Sequence, residues 1–318
     1  MKENLDSKPE YKRALIVVNK WWECIPVMSV LLNNEASPPE VGWPYPLYYP
    51  LKNHELSHNP QAVFQLSHVR IEVWCISDLL AKYPNESCYQ SSSERKMDEM
   101  PLIFQYSPQP ADLVVAVGTA AGCPADVNVN GSVICGANVF LHNSHPKGEN
   151  PCSNWQKGPF DTVIPSSLSE NEFKMITDIK TMSDVVKRFL VPPLNPAPAG
   201  GQLIADYNYV ALGTVNVTDY GEYEKKDEET LNAYKEKKYD PSLGRSLETT
   251  HGLIRVVAGI NRKNGKVPFL FVSGIVDRVS HFDEDVNPRP YAQNTTGAHN
   301  AGIVVAWMLP KIDALFAE

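Results

Sequence analysis

Asp112-Leu113-Val114-Val115-Ala116-Val117-Gly118-Thr119-Ala120-Ala121-Gly122 is the stretch on which the fold turns. Five apolar residues run unbroken from Leu113 to Val117 and stop at a glycine. A run of that kind suits a strand buried on both faces, in a sheet covered by helices on either side. The small residues from Gly118 to Gly122 let the backbone approach a ligand at the strand's C-terminal edge, and open α/β sheets bind ligands at such edges. The string matches neither G-x-G-x-x-G nor the P-loop. A glycine turn that serves packing alone would read the same way.

Working outward, further strand-like runs occur at Ala14–Val18, Val69–Trp74, Val133–Leu141, Tyr209–Val217 and Pro268–Val272. Helical segments are expected over Glu23–Leu32, from a capping box at Ser169-x-x-Glu172 towards Leu190, over Ser246–Gly259 and over Asn294–Phe316. The middle of the last one, Ala301 to Leu309, is apolar nearly all round and should be buried. Alternating strands and helices predict an α/β fold, a three-layer sandwich with a mixed, twisted central sheet flanked by helices. Stretches 38–60, 82–110 and 192–201 read as insertions in a single domain spanning 1–318. The stretch 222–238 mixes its charges and reads as a solvated helix or lid.

Composition narrows the function. The 318 residues carry 29 Lys+Arg against 37 Asp+Glu, a net charge of −8. An acidic chain is poorly suited to nucleic acid, which wants a basic face. Six cysteines, with no C-x-x-C pair, read as buried free thiols. No metal constellation and no cofactor motif stands out. Met1–Lys12 has no signal-peptide core and no run of about 18 apolar residues occurs, so a cytoplasmic location away from membranes is expected.

Three carboxylates sit at element junctions. Glu23 follows the first strand, Glu248 opens an apolar helix in Leu247-Glu248-Thr249-Thr250, and Asp277 ends Ser273-Gly274-Ile275-Val276-Asp277. Each alone also has a structural reading, as a solvated helix start, a first-turn acid on the helix dipole or a turn cap. Their order along the chain, with Gly118-Thr119-Ala120-Ala121-Gly122 between them, resembles the nucleoside phosphorylase and nucleosidase superfamily. The methylthioadenosine/S-adenosylhomocysteine nucleosidases look most similar. The resemblance covers about 14–32, 111–143 and 209–312. Leu247 stands where that family has Met, and Val276 where it has Ser.

The resemblance implies a small-molecule partner, a purine nucleoside or nucleotide, whose N-glycosidic bond is cleaved to release free base. Asp277 would protonate the leaving base, Glu248 would hold the ribose hydroxyls, and Glu23 would activate water. Gly118, Thr119, Ala120, Tyr220, Ser273 and Val276 would line the site, Tyr220 by stacking on the base or else as a plain turn aromatic. A homo-oligomer (dimer, trimer or hexamer) is implied, and the aromatic stretch 41–49 is a candidate contact. Residues 111–124 contain no Lys or Arg, which favours water over phosphate as nucleophile. Lys20, Arg255 and Arg278 remain as cations for a phosphate, or as surface charge. The alternatives are a phosphate-dependent phosphorylase, a non-catalytic storage or ligand-sensing relative, and an effector that consumes nucleotides.

Overall fold

The apolar run at Ala14 forms a strand, Lys12–Val18 (β1), whose alternate side chains enter different clusters. Ala14, Ile16 and Val18 join one, Leu15 and Val17 the other. That division follows from the two-residue period of a strand and makes the sheet the middle layer. The computed structural model describes residues 11–33, 47–48, 59–80, 93–143, 158–215, 223–288 and 290–317. Among them the other strands are β2 (Leu47–Tyr48), β3 (Ala62–Gln65), β4 (Val69–Cys75), β5 (Leu113–Gly122), β6 (Val133–Gly136), β7 (Asn138–Asn143), β8 (Val163–Ile164), β9 (Leu203–Ala205), β10 (Val210–Val215), β11 (Gly244–Leu247) and β12 (Phe269–Arg278). The helices are α1 (Trp21–Asn33), α2 (Ile76–Leu80), α3 (Ser93–Glu99), α4 (Pro101–Gln105), α5 (Glu170–Ile176), α6 (Ile179–Val186), α7 (Tyr223–Glu236), α8 (His251–Ile260), α9 (Phe282–Asp285) and α10 (Pro290–Leu315).

The strands make one mixed sheet in the order β2-β3-β4-β1-β5-β11-β10-β7-β8, with β12, β6 and β9 branching from β5. One face packs on α1, α5, α6 and α10 through Val27, Val30, Phe173, Val185, Ile303 and Met308. The other packs on α2, α3, α4 and α8 through Ile76, Met97, Ile103, Leu253 and Val257. A smaller cluster joins Phe140, Leu212 and Leu247 to Ala233 and Tyr234 of α7. Each fully buried Val, Leu or Phe contributes about 1.5–3 kcal/mol to holding the layers together. Cys24, Cys75, Cys123 and Cys135 are buried free thiols. The α/β expectation holds, and the apolar middle of α10 is buried as its sequence requires.

Several boundaries differ from expectation, each for a packing reason. β5 does not stop at Gly118 but runs on to Gly122, because β12 pairs along it to the end and β11 joins it at Ala121 and Gly122. Ser246 and Leu247 belong to β11, and α8 starts only at His251. The capping box at Ser169 and Glu172 is present, yet its helix breaks at Thr177, whose hydroxyl bonds back to Phe173 O. The stretch Val133–Leu141 divides at Ala137 into β6, on β12, and β7, on β10. Within 82–110, α3 and α4 bury Met97, Met100 and Ile103 against the sheet, so this part of the expected insertion is core. α7 is not wholly solvated, since it buries Thr230 and Tyr234. The stretch 38–60 lies mostly outside the described residues, as do Cys88, His145 and Cys152.

Candidate active site

β5 has a different neighbour at each end of one edge. β1 pairs with it in parallel up to Val117, and β11 pairs antiparallel from Ala121. β12 occupies the other edge from Val114 to Gly122. The edge at Gly118, Thr119 and Ala120 therefore has no strand beside it, and a carboxylate fills the place. Glu23 Oε1 accepts from Thr119 N at 2.7 Å and Thr119 Oγ1 at 2.9 Å. Its Oε2 accepts from Lys20 N at 2.9 Å, just ahead of α1, which is the backbone half of a capping box. Glu23 is 3% exposed, so it is no solvated helix start. Burial raises its pKa, the bonds from Thr119 and Lys20 oppose the rise, and Glu248 adds to it.

Glu248 reaches the same place from β11. Leu247 sits opposite Ala121, and the Glu248 carboxylate turns back over the start of α8 to accept from Thr250 N and His251 N. Free N–H groups at a helix start favour a carboxylate there. Burial still lifts its pKa to about 7, against the pull of those two bonds and of Lys96. Lys96 comes from α3, is 3% exposed, and places Nζ 3.2 Å from Thr250 Oγ1. Burial and then Lys20 lower its pKa to about 7, while Glu248 and Glu23 oppose. Burial also lowers Lys20, against Glu23.

His251, the first residue of α8, is buried beside this pair. Its ring stacks on Phe271 with centroids 5.9 Å apart. Nδ1 lies 3.4 Å from Ser273 Oγ and 3.6 Å from Glu248 Oε1. Ser273 in turn meets Ser246 at 3.1 Å. Burial lowers the imidazole pKa to about 4, with Glu23 opposing, so the ring is neutral at pH 7.

Asp277 stands on the other edge of β5, opposite Ala121. Leu247 and Asp277 thus flank one residue from two sides, about two strand spacings of 4.8 Å apart. Asp277 is 4% exposed. Its carboxyl is held well above the usual range by burial first, then by Asp227 and Asp285. Asp285 is fixed by Arg278, Asn130 and Asn195. Burial raises Asp285, but the bonds from Arg278 outweigh it and its pKa is lowered. A register shift between Ile275 and Asp277 turns Val276 against Gly297 of α10. Gly274 faces Gly297 so closely that a Cβ would lie 1.9 Å from Gly297 O, so only glycine lets α10 rest on β12 here.

Of the expected site residues, Glu23, Gly118, Thr119 and Glu248 come together, with Ser273 joined through His251. Ala120 is buried in the core on the same strand. Asp277 lies across β5 from them, Val276 faces α10, and Tyr220 lies outside the described residues. Arg255 is not surface charge: it is 5% exposed and its guanidinium bonds Pro165 O. Arg278 is taken up by Asp285 and Glu284. Lys96 and His251 were missed by sequence. Lys96 sits in a polar, insertion-like stretch, and the only sign of His251 was its place three residues after Glu248. Among the described residues no cluster of His, Cys, Asp and Glu could hold a metal ion, and no helix is long and apolar enough to cross a membrane.

No protein-family model and no curated protein matches the sequence. Solved structures do match in three dimensions. One from Borrelia burgdorferi B31, described as a 5′-methylthioadenosine/S-adenosylhomocysteine nucleosidase bound to adenine, superposes with a TM-score of 0.54 at 10% identity, over 93% of this chain and 99% of that one. Futalosine hydrolase of Helicobacter pylori strain 26695 gives 0.52 at 14% identity, over 94% and 97%. The 5′-methylthioadenosine/S-adenosylhomocysteine nucleosidase of Colwellia psychrerythraea 34H, in complex with adenine, gives 0.52 at 13%, over 95% and 96%. The chain has the α/β fold of these nucleosidases over nearly its whole length.

Proposed function

We propose that the protein cleaves the N-glycosidic bond of a purine nucleoside or nucleotide with water and releases the free base. The observation that carries this reading is the meeting of Glu23 and Glu248 at the open edge of β5, with Asp277 on the adjoining strand opposite Ala121. Breaking the bond builds positive charge on the sugar and negative charge on the base. Asp277, kept protonated by burial and by its acidic neighbours, is suited to give a proton to the base nitrogen. Glu248, fixed by two backbone N–H groups, is suited to accept from the ribose hydroxyls and to stabilise the cationic sugar. Glu23, held by three donors, is suited to take a proton from water. A homo-oligomer goes with this reading, and Trp21 and Ile25, exposed one turn apart on α1, are candidate contacts.

One observation favours a second reading. Lys20 and Lys96 stand beside the two glutamates, and a pair of cations suits a phosphate, carried by the substrate or acting as nucleophile. The test is incubation with adenosine, 5′-methylthioadenosine and adenosine 5′-monophosphate, each with and without inorganic phosphate, followed by chromatography for free base. Release without phosphate supports hydrolysis. Release that requires phosphate moves the protein to the phosphorylases, and no release under any condition favours a ligand-binding role.

A further inference from the structure

His251 Nε2 is an anomaly. It is buried, and among the described residues nothing hydrogen-bonds to it, although leaving such an atom unsatisfied is destabilising. It lies over Gly118, one of the two glycines of β5. A Cβ built on Gly118 would meet Glu23 Oε1 at 3.1 Å, His251 Nε2 at 3.5 Å and Glu23 Cδ at 3.7 Å, with nothing else from beyond its chain neighbours nearer. The niche over Gly118 is therefore walled by one carboxylate and one unpartnered ring nitrogen. Buried waters sit where polar groups of this kind converge.

We infer that this niche holds the attacking water, bridged between the Glu23 carboxylate and His251 Nε2, and that His251 is a water-positioning residue of the reaction. The inference rests on the hydrolytic reading and adds a residue to it. The Ser246–Ser273 pair sets the ring: Ser273 O–H donating to Nδ1 leaves the ring proton on Nε2. Nε2–H then donates to the water oxygen, one water proton goes to Glu23, and the remaining lone pair faces the sugar. As the water oxygen bonds to C1′, the C1′–N bond breaks and its electron pair leaves with the base. Glu23 gains the water proton, Asp277 gives one to the base, and exchange with solvent resets both. A neutral imidazole suits the task, since a charged one beside Glu23 would hold the carboxylate in an ion pair.

The experiment compares Gly118→Ala, His251→Leu and His251→Gln in the full-length protein, with kcat, KM and adenine affinity measured for each and a crystal structure of the wild type and of Gly118→Ala. Gly118→Ala and His251→Leu are expected to lower kcat by about 100-fold, with adenine affinity and KM within about 3-fold. His251→Gln, which keeps an N–H donor, is expected to recover about 10-fold of that loss. Density for a water touching Glu23 and His251 Nε2 is expected in the wild type and absent from Gly118→Ala. Wild-type kcat in Gly118→Ala, or an active wild type whose niche holds no water, overturns the inference. If the wild type releases no base from any nucleoside, the hydrolytic reading falls and the water-positioning role falls with it, whereas an active wild type with unaffected variants sinks this inference alone.

Discussion

The two edges of β5 treat buried carboxylates in opposite ways. On the edge shared by β1 and β11, Glu23 and Glu248 are met by five N–H or O–H donors and by Lys96 and Lys20. On the β12 edge, Asp277 is met by two more carboxylates, Asp227 and Asp285. Burial pushes all three acids towards the neutral form. Compensation holds Glu248 at about 7, whereas burial, Asp227 and Asp285 all push Asp277 up. The β1–β11 edge thus offsets the burial of its carboxylates, while a strand away a carboxyl is pushed towards its protonated form, a contrast suited to the acid-assisted displacement proposed above.

The sharpest way to break this contrast is Asp277→Asn. It removes the proton donor and keeps the shape, so base release is expected to fall by about 1,000-fold, within the range of general acid catalysis. Binding of adenine should survive, which separates lost chemistry from lost folding. Unchanged turnover would mean that the two edges do not divide the work.

The next effect is on stability. Asp227 titrates at about 7 in the fold and from 3.8 ordinarily, because it is buried. The folded state therefore holds that proton more tightly than the unfolded chain. The stabilisation is complete below 3.8 and is lost as pH rises through about 7. Asp227→Asn is expected to stabilise the protein at pH 8 by about 2–4 kcal/mol and to leave it unchanged at pH 4. Urea unfolding at the two pH values measures this. Equal curves for the variant and wild type at pH 8 would show that burying the Asp227 charge does not burden the fold.

The contrast also shows what the chain makes legible. Asp277 and Glu23 could be found because each ends or follows an apolar run, and a strand's C-terminal edge is where ligands bind. The continuation of β5 past Gly118 could not, since it depends on two partner strands that come much later in the sequence. Lys96 and His251 escaped for a related reason. A lysine in a polar stretch reads as solvent-facing, and only the packing of α3 on α8 carries it to Thr250. His251 gains meaning from Gly118, Glu23 and Ser273, which are remote in sequence and meet only when the sheet is assembled.

The smallest effect tests how the β1–β11 edge is tuned. Lys96 lowers the Glu248 pKa, and its contact with Thr250, 154 residues on in the sequence, brings it there. Lys96→Met removes the charge and keeps the length of the side chain. Glu248 would then lose its nearest counter-cation and hold its proton to higher pH. The acid limb of the kcat profile, expected near 7 from Glu248, should move up by about half to one unit, for a loss of about 3- to 10-fold at pH 6.5 that fades by pH 8.5. Lys96→Arg, whose guanidinium keeps its charge where Lys96 loses it near 7, should hold the limb at or below its wild-type position. An equal loss at every pH for Lys96→Met would instead place Lys96 in direct contact with substrate, which is what a phosphate-bearing nucleotide would require.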